Sequence, residues 1–154
     1  MKVEDIMTEA AVTDAPDDTV AEAAARMRQQ QTGSLLVMEG DDLAGIVTER
    51  DVLRIVGEGQ DPKSVTVRDA MTSNPVTIIR DASIKEAAEI MFQKWFRHLP
   101  VTGDDGKVVG VISLRDLLTL VAESLDEPSH LQTLTGHKLV RDKRLDRVEA
   151  DDLD

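Results

Sequence analysis

The sequence predicts a mixed α/β (α+β) protein made of two tandem copies of one strand–helix–strand–strand–helix (βαββα) unit. Two stretches of the chain repeat the same motifs in the same order. Each stretch contains a helix pattern with one apolar face, followed by two short apolar runs around turn residues. We expect the first repeat at residues 1–62, the second at 63–123 and a C-terminal extension at 124–154.

The repeat is visible in two blocks. Near the start of each copy, Asp5-Ile6-Met7-Thr8 recurs as Asp69-Ala70-Met71-Thr72. Further on, Gly45-Ile46-Val47-Thr48-Glu49-Arg50-Asp51 recurs as Gly110-Val111-Ile112-Ser113-Leu114-Arg115-Asp116. Because the order of the blocks is kept, we interpret them as a duplicated supersecondary unit. A unit of this size is marginal alone, so the apolar faces of the two copies are expected to pack on each other.

The first helix of each copy is predicted from its cap and its apolar spacing. Thr19 with Glu22, and Ser83 with Glu86, match the capping box, in which a hydroxyl and a carboxylate three residues later bond the first free amides of a helix. Apolar residues then follow at i, i+3, i+4 and i+7, which places them on one helix face.

Two short apolar runs follow each first helix and predict a β-hairpin, because turn residues separate them. A second helix follows each hairpin, and Gly57, Gly59 and Pro62 end it in the first copy. The predicted hairpin strands are Leu35–Met38 with Leu43–Val47, and Leu99–Thr102 with Val108–Ile112. The predicted second helices are Glu49–Val56 and Leu114 to about Glu123.

Composition excludes several classes of function. The 154 residues carry a net charge of −12, which disfavours nucleic acids and anionic membranes as partners. The chain has no cysteine, which excludes thiolate chemistry, and with only 2% aromatic residues base-stacking platforms are nearly absent. No apolar stretch is long enough to span a bilayer, and the N-terminus does not resemble a signal peptide. A soluble cytoplasmic protein is therefore expected.

The most informative motif is Gly, two apolar residues, a hydroxyl residue, any residue, Arg and Asp, present once in each copy. It describes a strand that runs into a helix N-terminus, where free amides and the helix dipole stabilise a phosphate. A carboxylate one turn into the helix can accept both hydroxyls of a ribose, and the arginine can pair with a phosphate. An ordinary helix cap is the alternative, since Thr-x-x-Asp and Ser-x-x-Asp also occur as capping patterns.

With these motifs in order and present twice, the chain resembles a pair of CBS domains, the tandem arrangement called a Bateman module. The likeness covers residues 1 to about 123. It implies two βαββα units packed through their sheets about a pseudo-twofold axis. It also implies two clefts that bind adenosine-containing ligands such as AMP, ADP, ATP, S-adenosylmethionine or NAD(H).

The resemblance also implies a role for individual residues. Asp51 and Asp116 would hold the ribose hydroxyls, while Thr48 and Ser113 would contact ribose or phosphate, with Arg50 and Arg115 as phosphate partners. The first-strand residues would line the adenine: Val12, Thr13, Val76, Thr77 and Ile78. The second copy alone carries the family's His-x-x-Pro-Val pattern, here His98 and Pro100, whereas Asp14 in the first copy replaces the apolar Ile78 of the second. The two clefts should therefore differ in affinity.

The function expected from the resemblance is regulatory. An adenine nucleotide would act as a regulatory ligand, with no cofactor required, and would change the arrangement of the repeats or protomers. A homodimer and a separate regulated protein are the expected partners, and Trp95 and Phe96 are candidate dimer contacts. A ligand-free interaction scaffold is the alternative. No enzyme is expected, since the sequence shows no nucleophile–base pair or metal cluster.

Overall fold

The computed structural model describes residues 1–9 and 13–124. The chain divides into two compact units, Met1–Leu117 and Leu118–Asp154. Both sheets and the four N-terminal helices lie in the first unit. The described part of the second unit is the C-terminal part of the last helix.

The predicted mixed α/β architecture is confirmed, with two four-stranded sheets and their helices. The first sheet has the order β2-β3-β4-β5, and its strands are Thr13–Asp14, Ser34–Glu39, Asp42–Thr48 and Thr72–Ser73. The second sheet has the order β1-β8-β7-β6, and its strands are Thr8–Glu9, Val108–Ser113, His98–Thr102 and Ile78–Ile79. The two long hairpins, β3–β4 and β7–β8, are antiparallel as predicted.

The helices begin where the capping patterns predict. α1 (Val20–Gln30) has Thr19 as its cap, and α4 (Ile84–Lys94) has Ser83. In each, the cap hydroxyl and the carboxylate three residues later form a complete capping box. The hydrogen bonds from Ser83 also lower the pKa of Glu86. α2 (Glu49–Gly57) and α5 (Leu114–Ser124) follow the hairpins directly.

The two repeats exchange the short strands β1 and β5 at their N-terminal ends, which the sequence did not predict. β1 lies at the start of the first repeat but pairs with β8 of the second, with Thr8 opposite Val111. β5 lies at the start of the second repeat but pairs with β4 of the first, with Thr72 opposite Ile46. Each sheet therefore contains one strand from the other repeat.

A short helical segment precedes each exchanged strand and is buried with it. The 3-10 turn Val3–Asp5 places Val3 in the core of the second repeat, where its amide donates to the Ala82 carbonyl at 2.8 Å. The corresponding helix α3 (Val67–Ala70) packs into the first repeat, and the amide of Val20 donates to the Val65 carbonyl at 2.9 Å. These contacts fix the start of each repeat on the body of the other.

Each repeat packs its first helix on one face of its own sheet. In the first repeat the buried cluster is Ala23, Met27, Leu35, Val37, Val47 and Val67. In the second repeat it is Val3, Ile78, Ala87, Met91, Leu99, Val101, Ile112 and Leu117. The opposite face of each sheet is buried as well, since Leu36 in the first sheet is 2% exposed and Pro100 in the second is fully buried.

One buried ion pair distinguishes the first repeat from the second. Asp14 on β2 has a fully buried side chain, and its Oδ1 accepts a hydrogen bond from Arg26 on α1. Its Oδ2 has no hydrogen-bond partner among the described residues. The second repeat has isoleucine at both corresponding positions, Ile78 and Ile90, and both belong to or pack against its core.

Candidate functional site

The two repeated motifs occupy equivalent positions at the N-termini of α2 and α5. Thr48 ends β4 and caps α2, while Ser113 ends β8 and precedes α5. Oδ2 of Asp51 accepts hydrogen bonds from the Thr48 amide at 2.8 Å and the Thr48 hydroxyl at 3.2 Å. Oδ2 of Asp116 accepts from the amide and the hydroxyl of Ser113, both at 2.7 Å.

These hydrogen bonds are those of a helix cap, and they engage one oxygen of each carboxylate. Oδ1 of Asp51 lies 3.6 Å from Nη2 of Arg54, the next basic residue on the same helix. Both aspartates are only partly buried. The capping role and a ligand role are therefore compatible, because each carboxylate has two oxygens and the cap uses one.

Strand register places several of the predicted residues on the sheet faces opposite the helix-packed cores. Cross-strand partners share a face, and residues two apart along a strand do so as well. In the first sheet Thr13 is opposite Leu36, and Ser34 is opposite Thr48. In the second sheet His98 is opposite Ser113, and Pro100 is two residues further along β7. We call the region around Thr48 and Asp51 the first cleft, and the region around Ser113 and Asp116 the second cleft.

The remaining first-strand residues are placed differently from one another. Val76 and Thr77 are exposed and directly precede β6, whereas Val12 lies outside the described residues. The side chain of Ile78 is 5% exposed and belongs to the core of the second repeat. A contact of Ile78 with adenine would therefore have to come from its backbone. Its neighbour Ile79 is 60% exposed on the opposite face of the strand, and no sequence motif marked it as a candidate site residue.

Residues of both repeats meet at the start of α2. Arg97 Nη2 of the second repeat lies 3.9 Å from Glu49 Oε2 of the first. A Cβ placed on Gly33 would lie 3.2 Å from both Glu49 Cδ and His98 Cε1, so these two side chains pack over the glycine. The repeat counterparts of Glu49 and Arg97 are Leu114 and Gly33.

This contact makes the two clefts unlike in charge. Glu49 and Arg97 were not singled out from the sequence, because Glu49 is the variable residue of its motif. Their repeat counterparts are uncharged, and that difference was the available signal. The ion pair itself is half exposed, and pairs of that kind contribute about 0–1 kcal/mol. Arg50 and Arg115 are exposed at the second position of their helices.

His98 is the titratable group at the centre of this region. Burial lowers the pKa of its imidazole below the ordinary value of 6.5, and the nearby Arg97 cation lowers the pKa further. Glu49 and Asp116 act in the opposite direction and raise the pKa, while Arg115 adds to the lowering. The folded protein therefore favours the neutral imidazole, which can donate or accept a hydrogen bond.

The shift at His98 predicts a pH dependence of stability. Because its pKa is lower in the folded than in the unfolded state, the unfolded state binds the proton more tightly. The contribution of neutral His98 to the free energy of unfolding is therefore fully present above a pH of about 6.5. It is lost as the pH falls towards the lower pKa of the folded state. We expect His98→Gln to show a shallower fall in the free energy of unfolding on acidification than the wild type, measured by urea titration. Parallel curves for the two proteins would contradict the assignment.

The described residues contain no group of His, Cys, Asp or Glu arranged to hold a metal ion. Within the same residues, no helix has the length and apolar character needed to cross a membrane.

Comparison with known proteins identifies the family. The CBS domain family model matches residues 3–58 and 67–123. A protein of Methanopyrus kandleri is 37% identical over 109 residues, which are 70% of this chain and 56% of that protein. The CBS domain-containing protein YhcV of Bacillus subtilis is 34% identical over 116 residues, which cover 75% of this chain and 81% of YhcV.

Solved structures agree in fold. A protein with CBS domains from Burkholderia ambifaria superposes with a TM-score of 0.73 at 36% identity, covering 77% of this chain and 88% of that one. A CBS domain protein from Pyrobaculum aerophilum, solved with AMP, has a TM-score of 0.71 at 24% identity and covers 88% of this chain and 99% of that one. The CBS domain pair of protein MJ0100, solved with 5′-methylthioadenosine and S-adenosyl-L-methionine, has a TM-score of 0.74 at 23% identity, covering 80% and 98%.

Two tandem matches to the domain, the repeated sheets and the agreement with solved CBS pairs lead to one conclusion: the chain belongs to the CBS domain family.

Proposed function

We propose that this chain is a cytoplasmic regulatory module that binds an adenosyl ligand in one or both clefts and passes the signal to a separate protein. The ligand would be AMP, ADP, ATP or a related compound such as S-adenosylmethionine or NAD(H). The observation that carries the proposal is the pair of equivalent helix N-termini, each with a hydroxyl, an arginine and an aspartate. Solved proteins of the same fold hold AMP, or 5′-methylthioadenosine and S-adenosylmethionine.

The arrangement suggests how such a ligand would be held. Oδ1 of Asp51 or Asp116, the oxygen that the helix cap does not use, would accept the ribose hydroxyls, and in Asp51 it would do so beside Arg54. Thr48 or Ser113 would contact ribose or phosphate, and Arg50 or Arg115 would pair with phosphate. The adenine would lie along the first strand of a repeat, near Val12 and Thr13, or Val76, Thr77 and Ile78.

The clefts would differ in the ligand charge they accept. The first cleft has the Glu49 carboxylate at the first residue of its helix, with Arg97 beside it. An anionic ligand there would compete with Glu49 for Arg97. The second cleft has Leu114 in place of the carboxylate, and His98 lies opposite Ser113. Phosphorylated ligands are therefore expected to prefer the second cleft, with His98 and Pro100 beside it.

The signal would arise from movement of one repeat relative to the other. A ligand shifts such an equilibrium only by its difference in affinity for the two arrangements. Arg97 and Glu49 link the repeats, so a ligand that separates this pair favours a different arrangement. No catalytic step is proposed, and purified protein is expected to leave AMP and ATP unchanged.

The proposal predicts ligand-dependent stabilisation. A ligand at roughly 100 times its Kd adds about 2.7 kcal/mol to the free energy of unfolding. AMP, ATP, S-adenosylmethionine and NADH are to be tested by thermal shift, and at least one should raise the Tm. If none does, the ligand-free scaffold becomes the better description.

The ligand role of the aspartates is tested by comparing two capping-box carboxylates, one inside a cleft and one outside it. Asp116→Ala removes the carboxylate that accepts from Ser113, so it should lower stability by about 1 kcal/mol and weaken binding to the second cleft at least tenfold. Glu86→Ala removes the equivalent carboxylate, which accepts from Ser83 at the start of α4 and away from either cleft, so it should lower stability without changing affinity. Calorimetric titration measures both. Equal affinity of the two variants would show that Asp116 is a cap alone.

A further inference from the structure

One arginine occupies the open edge of the first sheet. β2 is the outer strand of that sheet, and the base of the proposed ligand would lie along it. Nη1 of Arg26, on α1, donates to the backbone carbonyl of Thr13 at 3.3 Å. The same nitrogen donates to the side chain of Asp14 and, at 3.4 Å, to Oδ2 of Asp18. The edge of β2 therefore presents a guanidinium where a strand edge would otherwise present a carbonyl.

The second sheet has the same kind of edge without the cation. β6 is its outer strand, and the amide of Arg80, just beyond β6, donates to the Thr102 carbonyl of β7 at 2.9 Å. Because successive residues of a strand turn their backbone groups to opposite sides, Thr77, three residues earlier, turns its carbonyl to the open edge. The side chains that correspond to Arg26, Asp14 and Asp18 are apolar and cannot donate to this carbonyl: Ile90, Ile78 and Ala82.

The two edges therefore select opposite groups on a purine base. The carbonyl of Thr77 accepts a hydrogen bond, and adenine donates one from its amino group at position 6. Arg26 offers only donors, and guanine and hypoxanthine carry an acceptor oxygen at position 6. Arginine and a 6-oxopurine are complementary, whereas arginine and the adenine amino group would place donor against donor.

The guanidinium of Arg26 is both held in place and accessible. Its hydrogen bonds to the described residues all use Nη1, which leaves Nη2 and Nε to donate to a ligand. The Arg26 side chain is 37% exposed, while that of Asp14 is fully buried. Because Asp14 already fixes the guanidinium at the sheet edge, little further ordering of this side chain is needed when a ligand binds.

We propose that Arg26 determines the base selectivity of the first cleft, so that this cleft binds a 6-oxopurine nucleoside or its phosphates while the second cleft binds the adenosyl ligand. Asp14 acts through Arg26 as its positioning residue. The inference rests on the proposed function in one respect, namely that a purine lies along β2 or β6. It also gives the buried ion pair a role besides stability, since apolar residues of similar size often stabilise a core equally well.

The test compares AMP, GMP and IMP, which carry the same phosphate and differ only in the base. The amide chemical shifts of Thr13 and Thr77, followed by NMR during titration of the full chain, report the affinity of each cleft separately. At Thr13, GMP and IMP should bind about tenfold more tightly than AMP. At Thr77, AMP should bind more tightly than either of them.

The variant Asp14→Ile/Arg26→Ile gives the first edge the isoleucines of the second, and it avoids the unpaired carboxylate that Arg26→Ile alone would leave. At Thr13 this variant should prefer AMP by about tenfold, and the response of Thr77 should not change. Arg28→Ile is the matched control. It makes the same change at an exposed residue two positions further along α1, on another face of the helix, and should keep the 6-oxopurine preference.

The possible results separate this inference from the proposed function. AMP binding at Thr13 of the wild type at least as tightly as GMP and IMP would overturn the inference, as would an unchanged preference in the double variant. If Thr77 responds to AMP while Thr13 responds to none of the three nucleotides, the proposed function stands and the inference fails. If neither threonine responds to any of them, the proposed function fails and the inference fails with it.

Discussion

Replacement of Arg26 by isoleucine is expected to lower the free energy of unfolding by about 3–5 kcal/mol, because it leaves a buried carboxylate without its cation. Asp14 has a fully buried side chain, and Arg26 is the basic residue that donates to it. The other oxygen of Asp14 already has no partner among the described residues. The substitution would therefore leave the charge with almost no compensation, although Arg26 itself is partly exposed.

The second repeat shows which apolar residues can replace this ion pair. Asp14→Ile/Arg26→Ile gives the first repeat the isoleucines that the second has at positions 78 and 90. Replacing a buried ion pair by apolar residues is often neutral or stabilising by about 1–4 kcal/mol. We expect the double variant to regain the stability that Arg26→Ile loses, measured as a double-mutant cycle by urea unfolding. Additive losses in the cycle would mean that the two side chains do not depend on each other.

Gly110→Ala is the second substitution with a large expected effect, because it acts on the exchanged strand β1. A Cβ at this position would lie 2.5 Å from the backbone carbonyl oxygen of Thr8, closer than real contacts allow. Either β1 moves away from β8 or the sheet distorts, and overpacking of this kind costs about 1–3 kcal/mol. Gly45 faces the other exchanged strand in the same way, with the Thr72 oxygen at 2.6 Å.

Gly57→Ala is the matched control, since no atom lies within 4 Å of its added Cβ and the residue ends a helix. Its stability should equal that of the wild type or exceed it slightly. Thermal unfolding measures the difference, and amide hydrogen exchange shows whether β1 is released in Gly110→Ala. Equal Tm values for Gly110→Ala and Gly57→Ala would contradict the close approach of β1.

Much of the fold was predictable because its main elements carry local signals. The capping boxes at Thr19 and Ser83 mark two helix starts, and short apolar runs around turn residues mark the β3–β4 and β7–β8 hairpins. The repeated motif likewise predicted that Asp51 and Asp116 would lie at helix N-termini. Their hydrogen bonds to Thr48 and Ser113 match the capping alternative, and their ligand role stays a prediction.

The remaining features depend on contacts between distant residues. The exchanged strands are two residues long, so they show no periodicity that could indicate a partner. The face of a short strand was equally hard to assign, and Ile78 proved to lie in the core while Ile79 is exposed. The Glu49–Arg97 pair joins side chains of different repeats, which no local pattern could place together.

The strand exchange also sets an order of events during synthesis. The first sheet cannot be completed when its own repeat has been made, because β5 emerges only after residues 72 and 73 are translated. The N-terminal strand β1 cannot pair until β8 has been translated, after almost the whole described length of the chain. Contacts between such distant residues slow folding, because the intervening loop must close first. Meanwhile the nascent first repeat exposes an unpaired β4 edge, where pairing with another nascent chain would give a domain-swapped product.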